Sequence, residues 1–265
     1  MYRARSGSLA RSFAAFLASS WPALACTAVL IALWQAGAVA FAVPKWLLPS
    51  PLDVALAAWK WKAVLLKDIE VTVWETVLGF LMALATAIPM AALLVSSRLI
   101  WRALYPIMAA LQSIPKNAIA PLLIVWLGTG LSSKVAISFL IAFFPILVNA
   151  ASGMSQVDAD VSDMVKSLRA SRAQVFWYLR LPNGLPYIFA SAKVAITLAL
   201  VGAVIGEFVA ADSGLGHLIL ISASQLDTDL SFVAIGLLAI IGMLLFSAVG
   251  ALEKACTPWC APAPI

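Results

Sequence analysis

Residues 135–157 run for 23 positions without a charged side chain, and residues 23–43 do so for 21. Each run matches the roughly 20 residues an α-helix needs to cross the hydrocarbon of a bilayer. The runs do not alternate between apolar and polar residues, so the in-and-out pattern of a membrane barrel is excluded. Hydrocarbon offers the backbone no hydrogen-bond partners, and a helix is the open-ended segment that satisfies its own. The chain therefore reads as all-α and polytopic. Composition agrees, with 63% hydrophobic and 11% charged residues among 265; charges this sparse mark the boundaries between spans.

Taken in order, residues 1–22 carry Arg3, Arg5 and Arg11 with Leu9, Phe13, Phe16 and Leu17 at helical spacing, which predicts a short amphipathic helix on the membrane surface. The first span is expected over 23–43. VPKWLLPSP at 43–51 cannot continue it, because prolines remove donors. Residues 52–67 alternate Trp59 and Trp61 with Lys60 and Lys62, the mixture of a headgroup boundary. A second span is expected over 71–95. Residues 103–127 hold Pro106, Pro115, Lys116, Asn117 and Pro121, so the third should be bent or interrupted. The fourth covers 135–157 with a kink expected at Pro145, the fifth 181–206 and the sixth 230–252. Residues 214–226 are apolar but too short to cross and read as re-entrant or interfacial.

A charged island lies between the fourth and fifth spans. As helix, it places Val157, Val161, Met164, Val165, Leu168, Val175, Phe176 and Leu179 on one stripe. Ser155 with Asp158, and Ser171 with Gln174, have the spacing of helix-start caps. Two short helices are expected, meeting near Arg169 and Ala170, with Pro182 and Pro186 ending the second. Such a pair is a docking surface. Lys and Arg number ten on the island's side of the membrane against five on the other, which places the island and both termini in the cytoplasm.

The island resembles the cytoplasmic signature loop of ABC-importer permeases: Glu-Ala-Ala, three residues, Gly, nine residues, an aliphatic, one residue and Leu-Pro. The matching positions are Asp163, Met164, Val165, Arg169, Leu179, Leu181 and Pro182. Arg169 stands where the family has Gly, which leaves open the tight turn that Gly permits. LPSP at 48–51, GF at 79–80, IPK at 114–116, APL at 120–122, LGTG at 127–130, FFPI at 143–146, and GEF and SGLG between 206 and 216 are similar to the nitrate, sulfonate and taurine branch of these permeases.

The resemblance implies a type I importer permease fold with six transmembrane helices over 23–252, a docking loop over 152–182 and a cytoplasmic tail over 253–265. It further implies a multi-pass protein of the bacterial inner membrane, usually a homodimer, served by cytoplasmic ABC ATPase subunits and an external solute-binding protein. ATP and Mg would then be bound by the ATPase partner, and no cofactor by this chain. The residues of the loop, with Leu168, Ala170 and Ser171 added, are the expected ATPase-coupling set. A nitrate-like, taurine or sulfonate solute follows from the resemblance alone; a pyrimidine, riboflavin-like or aromatic-acid solute fits the same architecture. The absence of a GxxxxGK[ST] phosphate loop fits a chain that borrows its motor.

A charge within a span costs about 2.5–3.5 kcal/mol on insertion scales, so each needs a reason. Glu75 and Glu207 lie near expected span ends, where they either meet water or face the solute path. Lys193 is placed to snorkel towards the cytoplasm. Lys116, with Ser113 and Asn117 beside Pro115, is the better path candidate, since a broken helix and polar groups coincide there. His217 reads as an interfacial histidine. The cysteines Cys26, Cys256 and Cys260 form no metal set with it. Cys26 follows Ala-Leu-Ala, yet no apolar run precedes it, and the N-terminus reads as uncleaved. Basic residues scattered between spans argue against nucleic acid. A self-sufficient secondary transporter or channel is the alternative of a different class, and a membrane-embedded enzyme comes third, with no HExxH or GxSxG pattern to support it.

Overall fold

The computed structural model describes residues 8–259, and over them the chain is helical, with no strand. Arg3, Arg5, Cys260 and the end of the tail lie outside the described residues. In chain order the helices are α1 (Ser8–Ala40), α2 (Pro51–Lys60), α3 (Lys62–Ser96), α4 (Arg98–Gln112), α5 (Ala120–Leu127), α6 (Leu131–Ser155), α7 (Ala159–Ser167), α8 (Arg172–Val175), α9 (Leu181–Ala210), α10 (Leu215–Ser224) and α11 (Thr228–Cys256). Two units divide them: one runs to Trp61 and takes in Ser222–Val233, and the other comprises Lys62–Ile221 and the chain from Ala234.

In the first unit, α1 continues unbroken past Pro22, where a boundary between surface helix and span was expected. One proline removes a single bond of the ladder and supplies no stop signal. LPSP acts as the start of α2. Ser50 Oγ accepts from Asp53 N at 3.2 Å, Asp53 Oδ2 accepts from Ser50 N at 3.4 Å, and Pro51 occupies the first turn, where a missing N–H costs nothing. Lys45 donates to Asp53 at 2.6 Å and, with the Ser50 hydroxyl, holds that carboxyl below its ordinary range. Thr228 donates to Trp46 O at 2.6 Å, so the start of α11 is tied to the chain entering α2.

The second unit is organised around α6, which packs against both α3 and α9. The contact is close because its residues are small. Ala83, Ala87 and Ala91 recur every four residues on α3 and are fully buried. A Cβ built on Gly79 would stand 2.9 Å from Phe139 N, and one on Gly202 would stand 2.7 Å from Ser138 Cα. Ser138 donates to Ala199 O at 2.5 Å, binding α6 to α9. Lipid removes the hydrophobic drive between helices, so this approach of small residues is what holds them.

Among the described residues, four helical stretches are long and apolar enough to cross a membrane: Lys62–Ser96, Leu131–Ser155, Ala173–Ala210 and Thr228–Cys256. The interrupted third span takes the form of α4 and α5 bent by 81° about Ser113–Pro115 and a short 3₁₀ turn over Lys116–Ile119; counted as one span, they make a fifth. The described apolar part of α1 is the shorter stretch Ala25–Ala40, and α10 is shorter still. Pro145 lies within an unbroken α6, where Asn149 Nδ2 donates to the Pro145 carbonyl at 2.8 Å.

The stop expected at Pro182 and Pro186 does not occur. From α8 the chain passes through a π-helical turn over Phe176–Arg180 straight into α9, with Leu181 N donating to Phe176 O. Pro182 has no N–H to give, and in a regular helix its ring would press on the carbonyl of Tyr178. Widening the turn just before the proline takes up that conflict and keeps the helix continuous. Gly202→Val should force α6 and α9 apart and cost about 3 kcal/mol of stability by overpacking; a lowered thermal unfolding midpoint of the purified protein would register it, and an unchanged midpoint would contradict the close-approach account.

Candidate functional site

The island folds as the expected pair of helices, α7 and α8, with one cap moved. Ser155 is the last residue of α6 and its hydroxyl donates back to Ser152 O at 2.8 Å, so it is not free to start the next helix. Asp158 does so instead, its Oδ1 accepting from Asp160 N at 2.9 Å. The second cap is as read from sequence: Ser171 N donates to Gln174 Oε1 at 2.8 Å, and Gln174 N donates to Ser171 Oγ at 3.2 Å. Between the helices Arg169 adopts φ of +54°, the left-handed conformation that glycine takes most easily. The tight turn is therefore kept without its glycine.

The apolar stripe divides between two surfaces. Val157, Val175 and Leu179 line a cleft of 370 Å³ with Leu94, Val95 and Met154, at the end of the bundle. Val165, Leu168, Ala170, Tyr178 and Leu179 line a second groove, of 330 Å³, between the hairpin's own helices. Met164 and Leu168 are exposed, Leu168 by 74%, while Phe176 packs against the core. The Asp163 side chain lies outside those described. Two residues not singled out in the sequence fasten the hairpin. Arg180 Nη1 donates to Val95 O at 2.5 Å, and Asn183 Nδ2 donates to Gly153 O and Gln156 O at 3.0 and 2.9 Å. Single polar residues between apolar ones carry no spacing signal, which is why they escape a reading by motif.

The charges within the helices find partners. Glu75 and Glu207 are not at water-reachable ends but buried, each 1% exposed, because α3, α6 and α9 close over them. Lys134 approaches Glu75 at 3.4 Å. Thr72 donates to Glu207 at 2.6 Å, and Asp68 accepts from Gly214 N at 3.0 Å. Asp68, Thr72 and Glu75 are spaced four and three apart, so one face of α3 presents all three; that spacing was the available signal. Lys193 pairs with Glu253 of α11 at 2.7 Å.

Ser113, Lys116 and Asn117 sit together at the α4–α5 break, apart from the two glutamates. Lys116 Nζ donates to Gln112 O at 3.1 Å and lies 5.4 Å from the Phe144 ring centre. Phe144 is ten residues beyond Lys134 on α6, about 15 Å further along it. The five residues proposed for a solute path thus form two places. No group of three or more metal-ligating side chains occurs among the described residues.

A helical membrane bundle with a capped amphipathic hairpin running directly into one of its spans is the architecture of a transport subunit worked from outside the bilayer. The chain belongs to the family of binding-protein-dependent transport system inner membrane components, which it matches over residues 75–257. It is 38% identical over 244 residues to the riboflavin transport system permease protein of Chloroflexus aurantiacus, covering 90% of this chain and 91% of that one. It is 30% identical to the formylaminopyrimidine transport permease protein of Halalkalibacterium halodurans, over 87% and 92% of the two chains. The taurine transport system permease protein of Escherichia coli is 29% identical, over 88% and 87%. The inward-facing methionine ABC transporter MetNI has the same fold, with a TM-score of 0.66 at 19% identity over 73% of this chain and 96% of that one. This chain is an ABC-importer permease subunit, a multi-pass component of the inner membrane.

Replacing Arg169 by Gly removes a left-handed non-glycine residue, a strain of about 1 kcal/mol. Amide exchange at Leu168–Ser171 should slow in Arg169→Gly; unchanged or faster exchange would show that the turn is not strained.

Proposed function

We propose that this permease carries a small heteroaromatic solute of the riboflavin or aminopyrimidine class, delivered by an external binding protein, and that ATP hydrolysis by separate cytoplasmic ATPase subunits drives it. The observation that carries the solute class is the 38% identity to a riboflavin permease, against 29% to a taurine permease. The pairing of buried charge supports it. Lys134 and Lys193 are each engaged by a glutamate, so neither is available to an anion in transit. A sulfonate, taurine or nitrate solute is the second reading. Lys116 favours that reading, because among the described residues its ammonium meets a carbonyl and a ring and no carboxylate.

Docking is assigned to the hairpin, with Asp163, Met164, Val165, Leu168, Arg169, Ala170, Ser171, Leu179, Leu181 and Pro182 as the coupling set. The exposed apolar side chains of Met164 and Leu168 supply a patch that a partner covers. Because α8 and α9 form one helix through the π turn, displacement of the hairpin moves a transmembrane segment without a flexible joint between them. Two copies of the chain form the gated path, with the hairpin and both termini cytoplasmic.

Calorimetry on the partner binding protein, paired with uptake in proteoliposomes holding the full transporter, should show riboflavin or an aminopyrimidine preferred over taurine by at least about tenfold in affinity, a difference of about 1.4 kcal/mol. Saturable taurine or nitrate uptake with no riboflavin or pyrimidine uptake would establish the second reading instead. Leu168→Asp should leave the protein in the membrane and cut solute-stimulated ATP hydrolysis and uptake together by about tenfold or more, as loss of an anchor worth at least about 1.4 kcal/mol would; normal uptake would remove the hairpin from the coupling.

A further inference from the structure

At the end of α9 remote from the hairpin, the chain turns through Ser213–Gly216 into α10, and that turn is bound by side chains of α3 and α9. Gly214 N donates to Asp68 Oδ1 at 3.0 Å, Leu215 N to Thr72 Oγ1 at 2.9 Å and Gly216 N to Glu207 Oε2 at 2.5 Å. The Thr72 hydroxyl in turn donates to Glu207 Oε1 at 2.6 Å. Three successive amides at the start of a helix, where the backbone dipole is positive, are thus satisfied by buried acceptors. Gly214 has φ of +112°, and a Cβ there would fall on the Glu207 carboxyl. The glycines are what let the backbone come so near.

Glu75 lies against the same carboxyl. Its Oε1 faces the Lys134 ammonium at 3.4 Å, and Thr72, three residues earlier on the same face of α3, is bonded to the Glu207 carboxyl, so the two buried carboxyls are brought to one place. Glu75 Oε2 is buried and, among the described residues, has no N–H or hydroxyl donor. Two ionised carboxylates are acceptors only, and a hydrogen bond between them exists only when one holds a proton. The charges agree: Glu75 and Glu207 bring two buried carboxyls to Lys134, in a setting where an uncompensated buried charge is strongly disfavoured.

We propose that Glu75 and Glu207 form a buried proton-binding site in which the two carboxyls share one proton beside Lys134, and that this proton allows the first turn of α10 to dock on α3 and α9. With it, Glu207 keeps the anionic character that suits the Gly216 amide and the Thr72 hydroxyl, while the Glu75 oxygen without a protein donor becomes half of a hydrogen bond. Without it, two carboxylates repel across the seam that holds the turn. Glu75 and Glu207 are positioning residues for α10, and they stand independently of the solute.

Infrared spectroscopy of the full transporter in nanodiscs tests this. Wild type should show a protonated-carboxyl C=O band that shifts in D2O, and Glu75→Gln should remove it while accumulating and melting as wild type does, because a neutral amide replaces the shared proton. Glu207→Gln should also remove the band but loosen α10, with amide exchange at Leu215–Leu218 at least several-fold faster. A wild type lacking the band, a Glu75→Gln protein that retains it, or failure of Glu75→Gln to accumulate would overturn the proposal.

Discussion

Hydrocarbon offers no hydrogen bonds, and that one lack governs most of what this chain does. Each span must satisfy its backbone internally, so the segments are helices, and helices that must pack without hydrophobic drive do so by close approach of small residues. Gly79, Ser138 and Gly202 make that approach, and the alanines of α3 extend it. The same lack obliges each charged side chain inside the bundle to find a partner in the protein. Glu75 meets Lys134, Glu207 meets Thr72 and the Gly216 amide, and Lys193 meets Glu253. Packing and polar pairing are therefore two answers to one constraint.

Departures from regular helix fall where that constraint is relaxed or where another group supplies the missing bond. The bend between α4 and α5 lies beside Lys116, whose ammonium takes the Gln112 carbonyl at the end of α4. The π turn before Pro182 ends on an arginine that bonds the Val95 carbonyl in the last turn of α3. Left-handed Arg169 stands on the exposed hairpin, where water meets its side chain and the neighbouring backbone. The strain of that turn is small beside the stability of a bundle, so a glycine is dispensable there in a way that it is not at Gly202, where backbone blocks a Cβ.

How much of this was legible in the sequence depends on range. The long apolar runs foretold α3, α6, α9 and α11, though two of them carry an internal charge and the run at 23–43 gave only the shorter apolar stretch Ala25–Ala40. The Ser171–Gln174 cap was readable because both partners lie within four residues. Ser155 was misassigned for a local reason: it is the last residue of α6, its hydroxyl is turned back to Ser152 O, and a residue so engaged does not cap the next helix. Pro182 was misread because the rule that proline ends a helix omits the widened turn that accommodates it. The glutamate cluster was hidden for a different reason. Its members are separated by up to 146 positions, and nothing in a linear pattern relates Asp68 to Gly214. Only the spacing of Asp68, Thr72 and Glu75 hinted that one face of α3 was polar.

The hairpin and the carboxyl cluster also stand in a mechanical relation. Leu181 and Glu207 are separated by 26 residues of one helix, about 39 Å of rise. Along that length α9 is pressed against α6 at Ser138, Ala199 and Gly202, too closely for either helix to slide without backbone collision. A displacement applied at the hairpin therefore reaches the α9–α10 turn as motion of a rigid pair. What the pair can do at its far end is set by the bonds to Asp68 and Thr72, which come from α3. The carboxyl cluster is thus the place where movement of α6 and α9 relative to α3 must either be resisted or be released.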